Sequence, residues 1–261
     1  MSAVDSETAF ENEICSSLAG AGWLYDPGDA ARYDREHALF PDDLTAWISA
    51  SQPQAWEALA RAHGANAATV IAERLRKTLD SQGTLHVLRN GFEMLGLRRP
   101  ISMAQFKPAL AMNEDLQARY AANRLRVVRQ VYYSLWNGNS IDLVLFLNGL
   151  PVATVELKTD YKQAVEDAVY QYKKDRLPKA PGRNVPEPLL SFPGWALVHF
   201  AVSNSEVQMC TRLAGMDSAF LPFNRGNHGG AGNAPNPHGY ATAYLWEEVW
   251  QRASWLEILG R

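Results

Sequence analysis

The stretch I-D-L-V-L-F-L-N-G-L-P-V-A-T-V-E-L-K, residues 141–158, decides how the chain is read. Two apolar runs, Ile141–Leu147 and Val152–Lys158, flank Asn148-Gly149-Leu150-Pro151, and Asn-Gly between apolar runs is a strong hairpin signal. Strands covered on both faces read as nearly continuous apolar runs, as these two do. Yet Asp142 stands at the start of the first run and Glu156-x-Lys158 closes the second. On a two-residue period Glu156 and Lys158 share a face. In a hairpin the start of the first strand lies beside the end of the second, so Asp142 comes close to Glu156. With an effective three-residue loop the two acids are cross-strand partners with Cβ atoms about 5 Å apart. A tight two-residue Asn-Gly turn would instead put Glu156 on the wrong side of the sheet. Their meeting therefore requires an odd loop or a bulge.

Two carboxylates at the end of a buried hairpin repel each other, and a hard divalent cation relieves the repulsion. Magnesium takes one or two carboxylates and keeps waters and phosphate oxygens at its other positions. Bound to a scissile phosphate it would neutralise developing charge and acidify a coordinated water. Lys158 could orient that water or stabilise the pentavalent phosphate, with no covalent intermediate. The plainer reading is a Glu–Lys or Asp–Lys ion pair at a hairpin end, and on the bare spacing of Asp142, Glu156 and Lys158 alone it would usually win, since such spacings can arise by chance. What raises the first reading is that the acids interrupt strongly apolar strands and that Gln171 and basic residues follow on the next helix.

Working outward, Ser6–Leu24 reads as an amphipathic helix with Phe10, Ile14 and Leu18 on one face, ended by Gly20 and Gly22. Asp42–Ser49, Gln54–His63 and Ala67–Leu79 are helical, Thr84–Leu88 could be a strand, and Asn113–Asn123 is helical in composition. Leu125–Leu135 is β-branched and aromatic, a strand. After the hairpin come a helix over Thr159–Arg176, a Pro/Gly-rich loop, strands at Ala196–Val202 and Glu206–Leu213, a long Gly/Asn/Pro-rich loop at 224–240, and a helix over Leu245–Leu259. The pattern is α/β: a mixed sheet with helices on its faces and a helical insertion at about 42–80. All 261 residues read as a single domain.

Composition limits the function classes. With 47% hydrophobic and 20% charged residues the chain is an ordinary globular protein, and no apolar run reaches membrane-spanning length. The N-terminus is acidic and lacks the pattern of a signal peptide. Cys15 and Cys210 are isolated, which suits a cytoplasmic setting. Net charge is -3, so the chain is not globally basic, but Arg119, Arg124, Arg126 and Arg129 lie in one stretch free of acids. They suggest a cationic groove for a polyanion, or simply a solvated basic face. The six histidines form no metal-binding cluster, and His199, inside an apolar run, reads as a satisfied core residue. Trp246, Trp250 and Trp255 fall at helical intervals, suggesting a face that packs on whatever follows residue 261.

The stretches YAANRLRVVRQVYYS, IDLVLFLNGLPVATVELK, DAVYQYKKDR, LVHFAVS, FLPFNRG and YLWEEVW, with the early AFENEICSSLAGAGW, together resemble the N-terminal nuclease region of the restriction (R) subunit of type I restriction–modification enzymes. The resemblance implies a restriction-endonuclease-like PD-(D/E)xK fold that cuts double-stranded DNA with Mg2+. It assigns Asp142 and Glu156 to the metal, Lys158 to catalysis, and Glu11 to the acidic position that related nucleases place near the metal. Members often carry Gln-x-x-x-Tyr on the following helix; Gln171 fits, but position 175 is Asp and Tyr172 has the wrong spacing. It further implies modification and specificity subunits as partners, with sequence recognition left to a partner. An ATP-driven motor is expected after this region in a longer chain. No lysine here follows Gly and precedes Ser or Thr, so the phosphate-loop motif of such a motor is absent. Two alternatives stay open: a repair or recombination nuclease of the same fold, and a DNA-binding or assembly module with an unused site.

Overall fold

In a computed structural model describing residues 7–108, 113–160, 164–194 and 196–261, Asn148 and Gly149 both take left-handed backbone, with φ 51° and 85°. That is the geometry of a two-residue hairpin turn. It joins β2 (Ser140–Leu147) to β3 (Leu150–Leu157). Next to the turn Leu147 faces Leu150 and Phe146 faces Pro151; beyond it Leu145 faces Ala153 and Leu143 faces Val155. One extra residue, Val152, has entered β3. The tight turn and the bulge thus occur together, and the bulge meets the condition that the sequence set.

The sheet has six strands in the order β1-β2-β3-β4-β5-β6, adding β1 (Leu125–Tyr132), β4 (Val198–Val202), β5 (Val207–Cys210) and β6 (Leu221–Pro222). All neighbours are antiparallel except β3 and β4, which run parallel. That parallel step needs a crossover, and it contains α7 (Val165–Asp175). Alternation along β2 separates two cores. Leu143, Leu145 and Leu147 pack with α1 (Glu7–Gly20) through Phe10, Ile14 and Leu18, and with Trp47, Ile71 and Leu75 of the helical insertion. Val144 and Phe146 pack on the opposite face against Val165, Ala168 and Tyr172 of α7.

The insertion consists of α2 (Pro41–Ser51), α3 (Pro53–His63), α4 (Ala67–Gln82) and α5 (Thr84–Asn90). Its first helix seats on the hairpin turn: Phe40 N–H donates to the Gly149 carbonyl at 2.9 Å. A Cβ on Gly149 would sit 2.7 Å from the Phe40 oxygen, so this position needs glycine for both space and φ. A buried ion network then fixes the insertion to β1. Asp43 of α2 accepts Arg126 Nε at 2.6 Å and Nη2 at 3.0 Å, and Arg124 Nε at 2.8 Å. Asp29 takes Arg126 Nη1 at 2.5 Å, and the guanidinium stacks over Phe40.

Several expectations are corrected here. Thr84–Leu88 is helix, not strand: Gly83, at φ 89°, ends α4 and a fresh helical turn buries Thr84, Val87 and Leu88 together. The C-terminal segment is a π-helical turn, Leu245–Val249, followed by α8 (Arg252–Gly260), rather than one helix. Its tryptophans form no waiting face, because Trp246, Trp250 and Trp255 are all buried in the first core. Nor do the arginines at β1 and just before it form an open cationic groove, since Arg124 and Arg126 are taken up by Asp43 and Asp29, and Arg129 by Glu11. Asn113–Asn123 holds α6 (Glu114–Ala122), capped by the Asn113 side chain on Leu116 N–H. Residues 161–163 of the expected Thr159–Arg176 helix lie outside the described residues. Among the described residues no helix is long and apolar enough to cross a membrane.

Replacing Asp43 with alanine takes the carboxylate from Arg124 and leaves the buried Arg126 with Asp29 alone. Breaking a buried pair from one side typically costs about 3–5 kcal/mol. Urea denaturation of Asp43→Ala should show a loss of that order, whereas Asp42→Ala, on the exposed side of the same turn, should change stability by under about 1 kcal/mol.

Candidate functional site

The bulge at Val152 places Asp142 level with Glu156. The Asp142 side chain reaches across to β3, where Oδ2 accepts the Leu157 N–H at 2.8 Å. Glu156 is fully buried. Its Oε1 accepts Arg176 Nε at 2.6 Å, while Oε2 is enclosed with no hydrogen-bond partner among the described residues. Burial pushes the Glu156 carboxyl well above the usual range, the neighbouring Asp142 charge adds to the rise, and the Arg176 guanidinium opposes it. Arg176 follows the last turn of α7 and is itself buried.

Lys158 continues the Glu156 face one step on. Its backbone N–H pairs with the Val202 carbonyl at 2.9 Å, which anchors it to β4. The ammonium, largely shielded, lies 3.7 Å from Glu7 Oε1 at the start of α1. One turn further along α1, buried Glu11 accepts the Arg129 guanidinium on one oxygen and Gln130 Nε2 on the other, the latter at 2.9 Å. Gln130 Nε2 also stands 3.4 Å from Asp142 Oδ1. Burial raises the Glu11 carboxyl; Gln130 and Arg129 hold it down, and the Asp142 charge adds to the rise. Glu11, Asp142, Glu156 and Lys158 are therefore brought together.

Gln171 is not tied into this group. It sits half-buried on α7, and among the described residues its side chain makes no hydrogen bond to Glu11, Asp142, Glu156 or Lys158. The helix contributes Tyr172 and, just past its end, Arg176 instead. The buried Tyr172 hydroxyl lies 2.8 Å from Thr154 Oγ1, and burial together with the Glu156 charge pushes its phenol well above the normal range. Thr154 also meets His199 Nδ1 at 2.7 Å. His199 is a core residue as expected but only half satisfied: among the described residues Nε2 has no partner, and burial drops its pKa to about 3.

Sequence reasoning missed Gln130 and Arg176. Gln130 faces Asp142 in the register between Arg129↔Leu143 and Val131↔Ile141, yet its φ is 51°, left-handed in the middle of a strand. Strand alternation breaks there: Val128 and Val131, an odd step apart, pack in the same core, as do Val144 and Ile141 opposite them. A non-glycine residue in this region is strained, and such strain clusters at functional sites. Nothing in V-R-Q-V marks it, because Asn, Asp or Gly are the usual signals of left-handed backbone. Arg176 reads from sequence as an ordinary basic residue at a helix end.

The family described as the type I restriction enzyme R protein N terminus matches residues 5–218. The chain belongs to that family. The match takes in α1, the helical insertion, the hairpin, α7, β4 and β5, and it ends before FLPFNRG and YLWEEVW. No curated protein matches the chain.

If Gln130 is held left-handed by its site contacts, glycine there should be better tolerated than alanine. Gln130→Gly should be more stable than Gln130→Ala by about 1 kcal/mol in urea denaturation. Equal stabilities would mean that the strain is absent.

Proposed function

We propose that the chain is the magnesium-dependent endonuclease domain of a type I restriction enzyme, hydrolysing phosphodiester bonds of double-stranded DNA without sequence recognition of its own. The observation that carries this reading is the register slip at Val152, which sets Asp142 level with Glu156. Each acid also keeps one oxygen that the described residues do not firmly hold: Glu156 Oε2 has no partner, and Asp142 Oδ1 has only a long contact to Gln130. Among the described residues no group of three or more His, Cys, Asp or Glu is placed to hold a metal ion. Two carboxylates with open positions nevertheless fit magnesium, whose remaining ligands are waters and phosphate oxygens. When bound, the ion would supply charge neutralisation at the scissile phosphate and a more acidic water.

The protein's own groups have distinct tasks in this reading. Asp142 and Glu156 hold the cation, Arg176 orients Glu156, and Gln130 links Glu11 to Asp142. Lys158 stands on the Glu156 face to stabilise the pentavalent phosphate or orient the water. As the water oxygen bonds to phosphorus, one P–O ester bond breaks; the water loses a proton and the departing alkoxide gains one. Modification and specificity subunits would supply target choice, and an ATP-driven motor would deliver the DNA.

Plasmid DNA incubated with the protein and Mg2+ should be nicked, and Asp142→Ala and Lys158→Ala should each lose about 10²-fold or more in rate, the scale on which one transition-state contact acts. Equal cutting by all three proteins would place the activity elsewhere. If none cuts, even with ATP and the partner subunits, the chain is an assembly module. A second readout needs no activity. Saturating Mg2+, at about a hundred times its Kd, should stabilise the wild type by about 2.7 kcal/mol in thermal melts, and Asp142→Ala should abolish that shift.

A further inference from the structure

The four arginines Arg89, Arg98, Arg99 and Arg119 line one groove of 840 Å³ beside the helical insertion, and none of Glu11, Asp142, Glu156 and Lys158 lines it. It lies between the α2–α3 junction, the end of α5, the 96–102 segment and α6. Among the described residues no carboxylate lines it. Nor, among them, is any of the four arginines in an ion pair, in contrast to Arg124, just before β1, and Arg126 and Arg129 on it. Arg89, Arg98 and Arg99 are exposed, while Arg119 Nε is enclosed and without a hydrogen-bond partner. Gln54 and Ala55, in the first turn of α3, line the same groove, so the positive end of that helix opens into it. Four unpaired guanidiniums on a chain of net charge -3 are a local concentration of positive charge, not an overflow of a basic composition.

We infer that this groove grips the sugar–phosphate backbone of duplex DNA, a second contact made by none of the residues that would cut it. The inference rests on the reading of DNA as the substrate. Arginine suits the task because its planar fork pairs two donors with phosphate oxygens. A free nucleoside polyphosphate fits less well: the groove offers no acid for the magnesium such a ligand carries, and the chain has no phosphate-loop motif. Contacts to phosphate alone fix position without reading bases. The groove would thus hold DNA outside the acidic site and contribute binding that the site lacks.

The test is fluorescence anisotropy of a labelled duplex in EDTA, where no cutting occurs, across a range of salt. Wild type is compared with the double variant Arg98→Ala/Arg99→Ala and with Asp142→Ala. Both arginines are exposed, and thermal melts should confirm that the double variant folds as the wild type does. Losing two phosphate contacts should weaken binding about tenfold or more at low salt, equally for unrelated sequences. It should also lower the slope of log K against log salt by about 2, while Asp142→Ala binds at least as well as wild type. Unchanged affinity and slope in the double variant would overturn the inference. So would arginine-dependent binding of inorganic tripolyphosphate with unchanged duplex affinity, which would make the groove a small-anion site. The two readings fail separately: arginine-dependent DNA binding with no nicking, even when ATP and the partner subunits are added, keeps the groove and removes the nuclease, and nicking with arginine-independent binding does the reverse.

Discussion

Side chains alternate along a strand, so a slip of a single residue exchanges its two faces, and the acidic site depends on one such slip in β3. With the tight Asn148-Gly149 turn alone, the register next to the turn would continue along both strands and Asp142 would face Val155 rather than Glu156. The extra residue, Val152, restores the parity. Pro151 helps explain why the slip occurs where it does. Proline cannot donate to a ladder, so within a strand flanked on both sides it belongs at the start or at a bulge, and β3 lies between β2 and β4. The carboxylate pair is thus a consequence of a backbone irregularity a few residues away.

The site that results is held against electrostatic opposition. Glu156 is enclosed beside a second carboxylate, and Glu11 adds a third nearby. An ionised carboxylate without a partner is very costly to bury. Arg176 offsets part of the cost for Glu156, and Arg129 with Gln130 does so for Glu11. The compensation is one-sided, because among the described residues it satisfies one oxygen of Glu156 and leaves the other bare. Such an arrangement favours folding less than an apolar core would, but it leaves the acids able to gain from a cation. The Asp43–Arg126 network is organised differently: both carboxylate oxygens of Asp43 are bonded to guanidinium groups.

Where burial and period coincide, the sequence was legible. The hairpin, α1 with Phe10, Ile14 and Leu18, and the three insertion helices follow from spacing and turn residues, and their ends fall within a few residues of expectation. The meeting of Asp142 with Glu156 could be stated as a condition on the loop. What escaped depended on distant partners. Short apolar Thr84–Leu88 carries no period long enough to separate helix from strand. The tryptophans of the C-terminal segment reach inward because the helix breaks after Val249, and no Gly or Pro announces the break. The arginines at β1 and just before it looked available only because Asp29, Asp43 and Glu11, which neutralise them, lie far earlier in the chain. Gln130 and Arg176 were silent for the same reason: each matters through a contact that only folding creates.

The margins of the sheet have a consequence of their own. At one side, Leu24 bridges to Arg126, taking the Val127 N–H and giving its own N–H to Leu125. Further along the same border, the Arg129 side chain turns to Asn12 on α1. At the other side the sheet ends in β6, only two residues long and including Pro222. A long bare border is a template for another chain's strand; β6 is too short to offer one, and Leu24 takes up the first residues of β1. Strand addition is therefore discouraged at the β6 end and at the start of β1, and the nearly all-apolar β2–β3 hairpin lies inside the sheet, with β1 and β4 on either side.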